Sequence, residues 1–389
     1  MRIAIVSTME GPPWAGSEEL WSRMAHAALD GGHEVAVFVN RAGQVAPQLR
    51  ELAARGARLH RRGHSYRLGL ERVAGRLARR PMRLPRVPAV SPFAPLFRFR
   101  PDVVLLSEGA LLGFLHVGEL TRWLGRSGTP YVTICHYVSD FRPPPDAYRA
   151  QGAAFYAGAH LAGFVADGNR ETAERQLSVR LANAAVVRNP VNLRVRAPVA
   201  PPPESPVRMA SVARLQVGDK GQDVLLQVLS QPAWRGREWR LNLFGGGPDE
   251  RYLRELARLY GVHERVEFRG HVDDVRAIWA ENHLLVMPSR AEGTPLALVE
   301  AMLCGRPAVA TDVGGIAEWV HEGRTGFLAD VATPRSFGAA LERAWAGRAD
   351  WDSVGARAHA LAARQAGPRP ELALLDIVLG AAHARGGRR

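Results

Sequence analysis

The sequence predicts an α/β architecture: two doubly wound domains, each a parallel sheet with helices on both faces. Three observations predict it. Short apolar runs alternate with segments of helical period along the chain, as doubly buried strands and their crossover helices do. The alternation stops at a proline-rich stretch, Ala197 to Pro206, and then restarts, which divides the chain near its middle. The length of 389 residues exceeds one ordinary core.

In chain order, strands are expected at Ile3–Val6, Val35–Val39, Val103–Leu106, Tyr131–Ile134 and Ala184–Val187, with helices at Glu18–Leu29 and Leu112–Leu124. After Asn189-Pro190-Val191 and the proline-rich stretch, strands are expected at Val207–Val212, Leu241–Phe244, Val266–Phe268, Leu284–Met287, Ala308–Ala310 and Gly326–Leu328. A last helix over Glu371–Ala382 precedes a basic tail. The domains follow: 1–190, a linker over 191–206, 207–367, and a C-terminal helix and tail over 368–389. Ligands of such folds sit outside the carboxyl ends of the strands, so the loops that follow strands are where chemistry is sought.

Hydrophobic content of 47% and charged content of 23% are ordinary for a globular protein. Met1 to Thr8 is too short an apolar run for a signal peptide, and no stretch is long and apolar enough to span a membrane. Cys135 and Cys304, distant in sequence and set in apolar runs, read as buried thiols of a reducing compartment. A cytoplasmic protein is expected.

The net charge is +13, and among 51 basic residues only Lys220 is a lysine. Arginine is a rigid planar fork, whereas lysine is a compact charge on a flexible stem, so a single lysine suggests a place where the fork does not fit, against the alternative of a residue left over by drift. Between Gln48 and Arg100 the chain is rich in arginine and holds only two acids, Glu51 and Glu71. Such a segment suits anionic lipid at the inner membrane face, an acceptor, or plain solvation. No nucleic-acid motif accompanies the charge, and no nucleic-acid partner is expected.

Five loops hold candidate residues. Glu10 to Trp21 follows the first strand and opens a helix, with Gly16 allowing close backbone approach and Ser17 or Glu18 able to cap. His136 ends the strand at Tyr131–Ile134. Arg214 ends a strand, and six residues on Lys220 stands near a helix start that Asp219 can cap, so two cations converge as a metal-free site for adjacent phosphates. Phe244-Gly245-Gly246-Gly247-Pro248 is a glycine-rich strand-to-helix turn. The fifth runs from Pro288 to Met302. Thr294 is placed to cap its helix and Pro295 to begin it, Glu292 lies just before it, and Glu300 sits among apolar residues on the face shared with Leu296 and Ala297. Two acceptor oxygens facing a cleft suit the vicinal hydroxyls of a ribose.

Together these segments resemble the family-4 retaining glycosyltransferases of the GT-B fold, most densely from Val207 to Leu328. The resemblance rests on Arg214-Leu215-x4-Lys220-Gly221, Gly245-x-Gly247-Pro248, Glu292-x7-Glu300, Thr311-x-x-Gly314-Gly315-x-x-Glu318 and Gly323-x-x-Gly326, in that order, with Asn189-Pro190 before the linker. Two positions depart from the family pattern: Ala15-Gly16 stands where two glycines are usual, and Tyr137 follows His136 where an acid is common.

The resemblance implies a hexose-type sugar moved, with retention, from a UDP- or GDP-linked donor in the second domain to an acceptor in the first, with no metal or cofactor. It implies that Arg214 and Lys220 hold the diphosphate and that Glu300 takes the ribose hydroxyls. Glu292 would face the sugar, with the amide N–H groups of Gly293, Thr294 and Leu296 and the backbone of Pro295, which has no N–H, beside its hydroxyls. His136 would approach from the first domain, and Gly16 and Gly245 would pass close to the donor. The final helix is expected to cross back to the first domain. A sugar-nucleotide epimerase on the same fold and a non-catalytic protein that docks on an anionic surface are the rival readings.

Overall fold

The computed structural model describes residues 1–9, 14–41, 45–63 and 91–386. The expectations that fall on residues 10–13, on the centre of the arginine-rich segment at 64–90 and on the tail at 387–389 lie outside the described residues.

Among the described residues two parallel sheets form. The first holds β1 (Arg2–Ser7), β2 (Glu34–Asn40), β3 (Arg58–Arg62), β4 (Val103–Glu108), β5 (Tyr131–Cys135), β6 (Leu161–Phe164) and β7 (Ala184–Val186), in the order β3-β2-β1-β4-β5-β6-β7. The second holds β8 (Val207–Val212), β9 (Trp239–Phe244), β10 (Val266–Gly270), β11 (Leu284–Met287), β12 (Ala308–Thr311) and β13 (Phe327–Ala329), in the order β10-β9-β8-β11-β12-β13. In each sheet the strand order reverses beside its first strand, between β1 and β4 and between β8 and β11. Crevices open at such switch points.

Both faces of each sheet are buried, with the period of two that a pleated strand imposes. Ile3 and Ile5 enter one core of the first sheet, and Ala4 and Val6 the other. Leu284 and Val286 enter one core of the second sheet, and Leu285 and Met287 the other.

The last helix, Pro370–Gly386, packs on the helix Gly16–Asp30 and on β4 and β5. Leu374, Leu375, Val378, Ala381 and Ala382 are buried there, in the core that holds Ile3, Met24 and Val132. The end of the chain thus completes the core of its beginning, and the polypeptide crosses between the sheets twice.

The proline-rich linker offers carbonyls with no strand beside them, and arginines take them up. Arg276 Nη1 donates to the carbonyls of Val195 (3.2 Å) and Ala197 (2.7 Å). The buried Arg306 donates Nη2 to Ala200 O (2.6 Å) and Nε to Trp279 O (2.9 Å) and Asn282 O (2.8 Å). A planar fork with five donors can reach carbonyls on separate segments at once.

Three local expectations are corrected. β3, Arg58-Leu59-His60-Arg61-Arg62, has no apolar run, yet it pairs with β2. Arg58 binds Glu34 at 2.9 Å, and Arg62 is buried and donates to Ser7 O. β6 is only four residues long and contains Gly163, where a Cβ would lie 2.4 Å from Ile134 Cδ1. The helix expected over Leu112–Leu124 is instead a 3-10 turn, Gly113–Val117, followed by the helix Gly118–Ser127. The turn forms because the buried Glu108 carboxylate accepts the Phe114 N–H at 2.8 Å, which fixes the chain before α geometry can start.

Leu374→Ala should lower the free energy of unfolding by about 2–5 kcal/mol, read by urea denaturation. Asp376→Ala, on the exposed side of the same helix, should stay within about 0.5 kcal/mol of wild type.

Candidate functional site

The loop after β8 is built by backbone contacts. A Cβ on Gly245 would lie 2.3 Å from Ala213 O, so the glycine-rich turn after β9 packs directly on this loop. The Asp249 carboxylate accepts the Val217 N–H at 2.8 Å and starts a single helical turn, Val217–Lys220. Gly221, at φ +65°, ends that turn before the helix Gln222–Leu229 begins. Lys220 therefore closes a short turn just before the helix Gln222–Leu229, near its start as expected, but Asp219 does not cap that helix. The Asp219 carbonyl accepts the N–H groups of Arg290 (2.8 Å) and Ala291 (3.2 Å), and its carboxylate accepts the Tyr137 hydroxyl at 3.3 Å.

The loops after β8 and β11 meet in an ion pair. Lys220 Nζ donates to both carboxylate oxygens of Glu292 at 2.7 Å, and Ser289 Oγ donates to Glu292 Oε1 at 2.7 Å. Glu292 is buried, while the Lys220 side chain keeps 24% of its surface exposed. An ammonium has three donors, so with two on Glu292 one remains. Arg214 is exposed at the strand end, and its carbonyl accepts Gln222 Nε2 at 2.9 Å. Before any ligand arrives the lysine is thus engaged by Glu292, and the expected converging pair of cations is one free guanidinium and one ammonium already half committed.

The helix after β11 also starts differently from the expectation. It spans Leu296–Leu303, one residue later, with Pro295 at its cap position and no side-chain cap. Thr294 Oγ1 donates instead to Val165 O of the first domain at 2.8 Å. Gly293 packs on the first domain as well, where a Cβ would lie 2.1 Å from His136 O. Glu300 is buried on this helix and accepts the Asn192 N–H at 3.4 Å. Burial pushes its carboxyl up to about 7, partly offset by that N–H, while the Glu19 charge adds to the rise and Arg23 opposes it.

From the first sheet, His136 follows β5 and is buried, with Nε2 3.2 Å from Ser107 Oγ. Burial lowers its pKa to about 4, against a smaller upward pull from Asn189, so the imidazole is neutral near pH 7. The helix Gly16–Asp30 starts at Gly16 itself, without a side-chain cap. Ser17 and Glu18 do not cap it, because the buried Glu18 turns to β1 and accepts Ser7 Oγ at 3.0 Å. Burial pushes Glu18 up to about 7. Gly16 faces the second domain, where a Cβ would stand 3.2 Å from Leu296 Cδ1.

Gly16, Lys220, Glu292, Gly293, Thr294 and His136 therefore gather where the two domains touch. Other residues hold that junction and were not among the candidates. Asn169 Nδ2 donates to Glu292 O at 3.2 Å, and Glu318 accepts the Asp167 N–H (2.7 Å) and Arg188 Nη2 (3.0 Å). Glu318 was legible as part of the glycine-containing motif after β12; Asn169 carries no local signal. Glu108, buried beneath the site and accepting from Thr133, Phe114 and Tyr156, was equally silent. A cavity of about 970 Å³ lined by Asp140, Thr172, Arg175, Asp312 and Gly314, among others, includes none of the candidate site residues.

Residues 206–346 match the family model described as glycosyl transferases group 1. An exopolysaccharide phosphotransferase of Streptomyces coelicolor is 36% identical over 148 residues, which is 38% of this chain and 16% of that protein. The putative colanic acid biosynthesis glycosyltransferase WcaL of Salmonella typhimurium is 36% identical over 134 residues, 32% of this chain and 33% of that protein. The matched stretch thus spans a third or less of these curated relatives. The crystal structure of Anabaena HepE in complex with UDP and glucose superposes at a TM-score of 0.72 with 17% identity, covering 99% of this chain and 100% of that one. The fold is that of these proteins: two parallel-sheet domains face to face, the GT-B arrangement.

Because the buried carboxylate of Glu292 is held by Lys220, Lys220→Met should destabilise the protein. Lys220→Met combined with Glu292→Gln should recover part of the loss, with a coupling of about 0.5–3 kcal/mol. Thermal or urea unfolding of the two single variants and the double variant measures it; strict additivity would mean that the pair contributes nothing.

Proposed function

Because residues 206–346 match the family model described as glycosyl transferases group 1, we propose that the chain moves a hexose-type sugar from a nucleoside-diphosphate donor to an acceptor hydroxyl, with retention and without a metal. The donor occupies the second domain, over 207–367, and the acceptor the first, over 1–190. The observation that supports this reading best is the Lys220–Glu292–Ser289 cluster at the switch point of the second sheet, with His136 of the first domain against Gly293.

In this reading Lys220 keeps Glu292 on two of its protons and gives the third to the donor diphosphate. Arg214, exposed at the adjoining strand end, supplies the second cation. As the sugar–phosphate bond breaks, charge grows on the departing diphosphate, and fixed cations stabilise it there. Glu292 fixes the lysine and turns its following amides, through Leu296, toward the sugar. Neutral His136 hydrogen-bonds a sugar hydroxyl. Glu300 accepts the ribose hydroxyls, and Gly16 and Gly245 leave room for the donor to pass. The HepE structure holds UDP and glucose, which supports a UDP-linked donor; a GDP-linked donor is the alternative. The protein acts in the cytoplasm, at the inner membrane face where the acceptor is a lipid.

A thermal-shift screen of nucleotide sugars tests donor binding, since a ligand that binds only the folded state raises its stability. A UDP- or GDP-sugar should raise the melting temperature of wild type but not of Lys220→Ala. With the matching acceptor, Glu292→Ala should abolish transfer, and Lys220→Arg should lower turnover by about tenfold or more, because a fork cannot reproduce the point charge. Wild-type rates in both variants would remove the proposal.

Glu300 gives a pH signature. Its carboxyl, raised to about 7, is protonated below that pH and ionised above it. Ribose hydroxyls donate to the ionised form, so donor affinity should rise as pH passes through about 7 and level off above. The Glu300→Gln variant should lack that rise in calorimetric titrations.

A further inference from the structure

We propose that the crevice between the two chain crossings is a binding site for a small phosphate-bearing anion, distinct from the diphosphate position at Arg214 and Lys220, though Glu300 borders it through Asn192. The crevice encloses about 470 Å³ and is lined by Arg23, Val191, Asn192, Arg194, Arg196 and Pro368, among others. Three arginines line it and no carboxylate does. Each crossing contributes: residues 191–196 lead from the first domain to the second, and Pro368 leads back.

The three arginines differ in what they have left to give. Arg23 is held in place, donating Nη2 to Asn192 Oδ1 (2.7 Å) and Nη1 to Val191 O (3.4 Å). Its Nε lies 3.5 Å from Glu19. Arg196 uses Nη1 on the carbonyls of Ala366 and Gly367, each at 3.0 Å, which leaves Nη2 and Nε. Arg194 lines the crevice, is exposed, and its side chain has no hydrogen-bond or ion-pair partner among the described residues. A guanidinium meets phosphate through two parallel charge-assisted hydrogen bonds, and two forks with spare donors on one crevice wall match one phosphate group. Arginine is this chain's ordinary surface cation, and elsewhere it commonly finds an acid, as Arg58 finds Glu34 and Arg237 finds Glu342. Here only Arg23 has an acid beside it, and Arg194 and Arg196 have none among the described residues. Glu19 is committed to Arg23 and Trp14, and Glu300 to the Asn192 N–H, with burial holding its carboxyl near neutrality. The phosphate can belong to a soluble metabolite or to a lipid headgroup, and the crevice recognises what they share.

The test separates this crevice from the donor site by titrating inorganic pyrophosphate into full-length protein carrying Arg214→Ala and Lys220→Ala, at fixed ionic strength, by calorimetry. Saturable binding should persist there, and adding Arg194→Ala should weaken it about tenfold or more, with the melting temperature unchanged. Sedimentation with phosphatidylglycerol vesicles, with and without Arg194→Ala, forms the second arm. Vesicle binding lost in Arg194→Ala, without pyrophosphate binding, assigns the phosphate to a lipid. Absence of both, or retention of both in the Arg194→Ala protein, overturns the proposal. Neither arm depends on sugar transfer, so the outcome stands apart from that of the transferase reading.

Discussion

The site depends on one constraint: at the junction of the domains, backbone lies directly on backbone. A Cβ at Gly293 would stand 2.1 Å from His136 O, and one at Gly168 would stand 2.1 Å from Gly314 O. Both distances are far inside any van der Waals contact, so neither position admits a side chain. The contacts bring the carboxyl ends of the two sheets together at the loops after β5, β6, β11 and β12. Hydrogen bonds then lock the approach, from Thr294 to Val165 O, from Asn169 to Glu292 O, and from the Asp167 N–H to Glu318. Glu292 is held on its carbonyl by one domain and on its carboxylate by Lys220 of its own.

Around that junction the buried acids divide by partner. Buried Glu292 has a full counter-ion in Lys220, and the half-buried Glu318 has one in Arg188. Glu18 and Glu108 have only hydroxyl and amide donors, and burial raises both toward about 7. They serve as internal braces, tying the helix Gly16–Asp30 to β1 and the turn after β4 to β5. Glu300 shares their burial but faces the crossings between the domains. Raised toward about 7, these carboxyls carry less negative charge near neutral pH than exposed ones would.

The arginine bias has a structural use as well. Arg276, Arg306 and Arg196 satisfy carbonyls of the linker and of the returning segment that no strand could reach. A planar fork spans such separated acceptors without losing its charge to burial. The pair with Glu292 asks for something else, a single ammonium that reaches both oxygens and retains a donor, and this is where the chain places its one lysine.

Apolar periodicity determined both sheets, the break between them and most strand limits, because strands buried on both faces must be written in Val, Ile and Leu. It did not reveal β3, whose arginines are satisfied by Glu34 and Ser7 O, or β6, whose glycine is a packing requirement of Ile134. Motif spacing brought out Arg214, Lys220, Glu292 and Glu300, since local turns of the chain carry them. Tertiary structure alone decided that Lys220 pairs with Glu292, that Thr294 reaches across to Val165 instead of capping its own helix, and that Asn169 and Glu108 support the site. Those choices are competitions between a local acceptor and one distant along the chain, and only packing sets which is nearer.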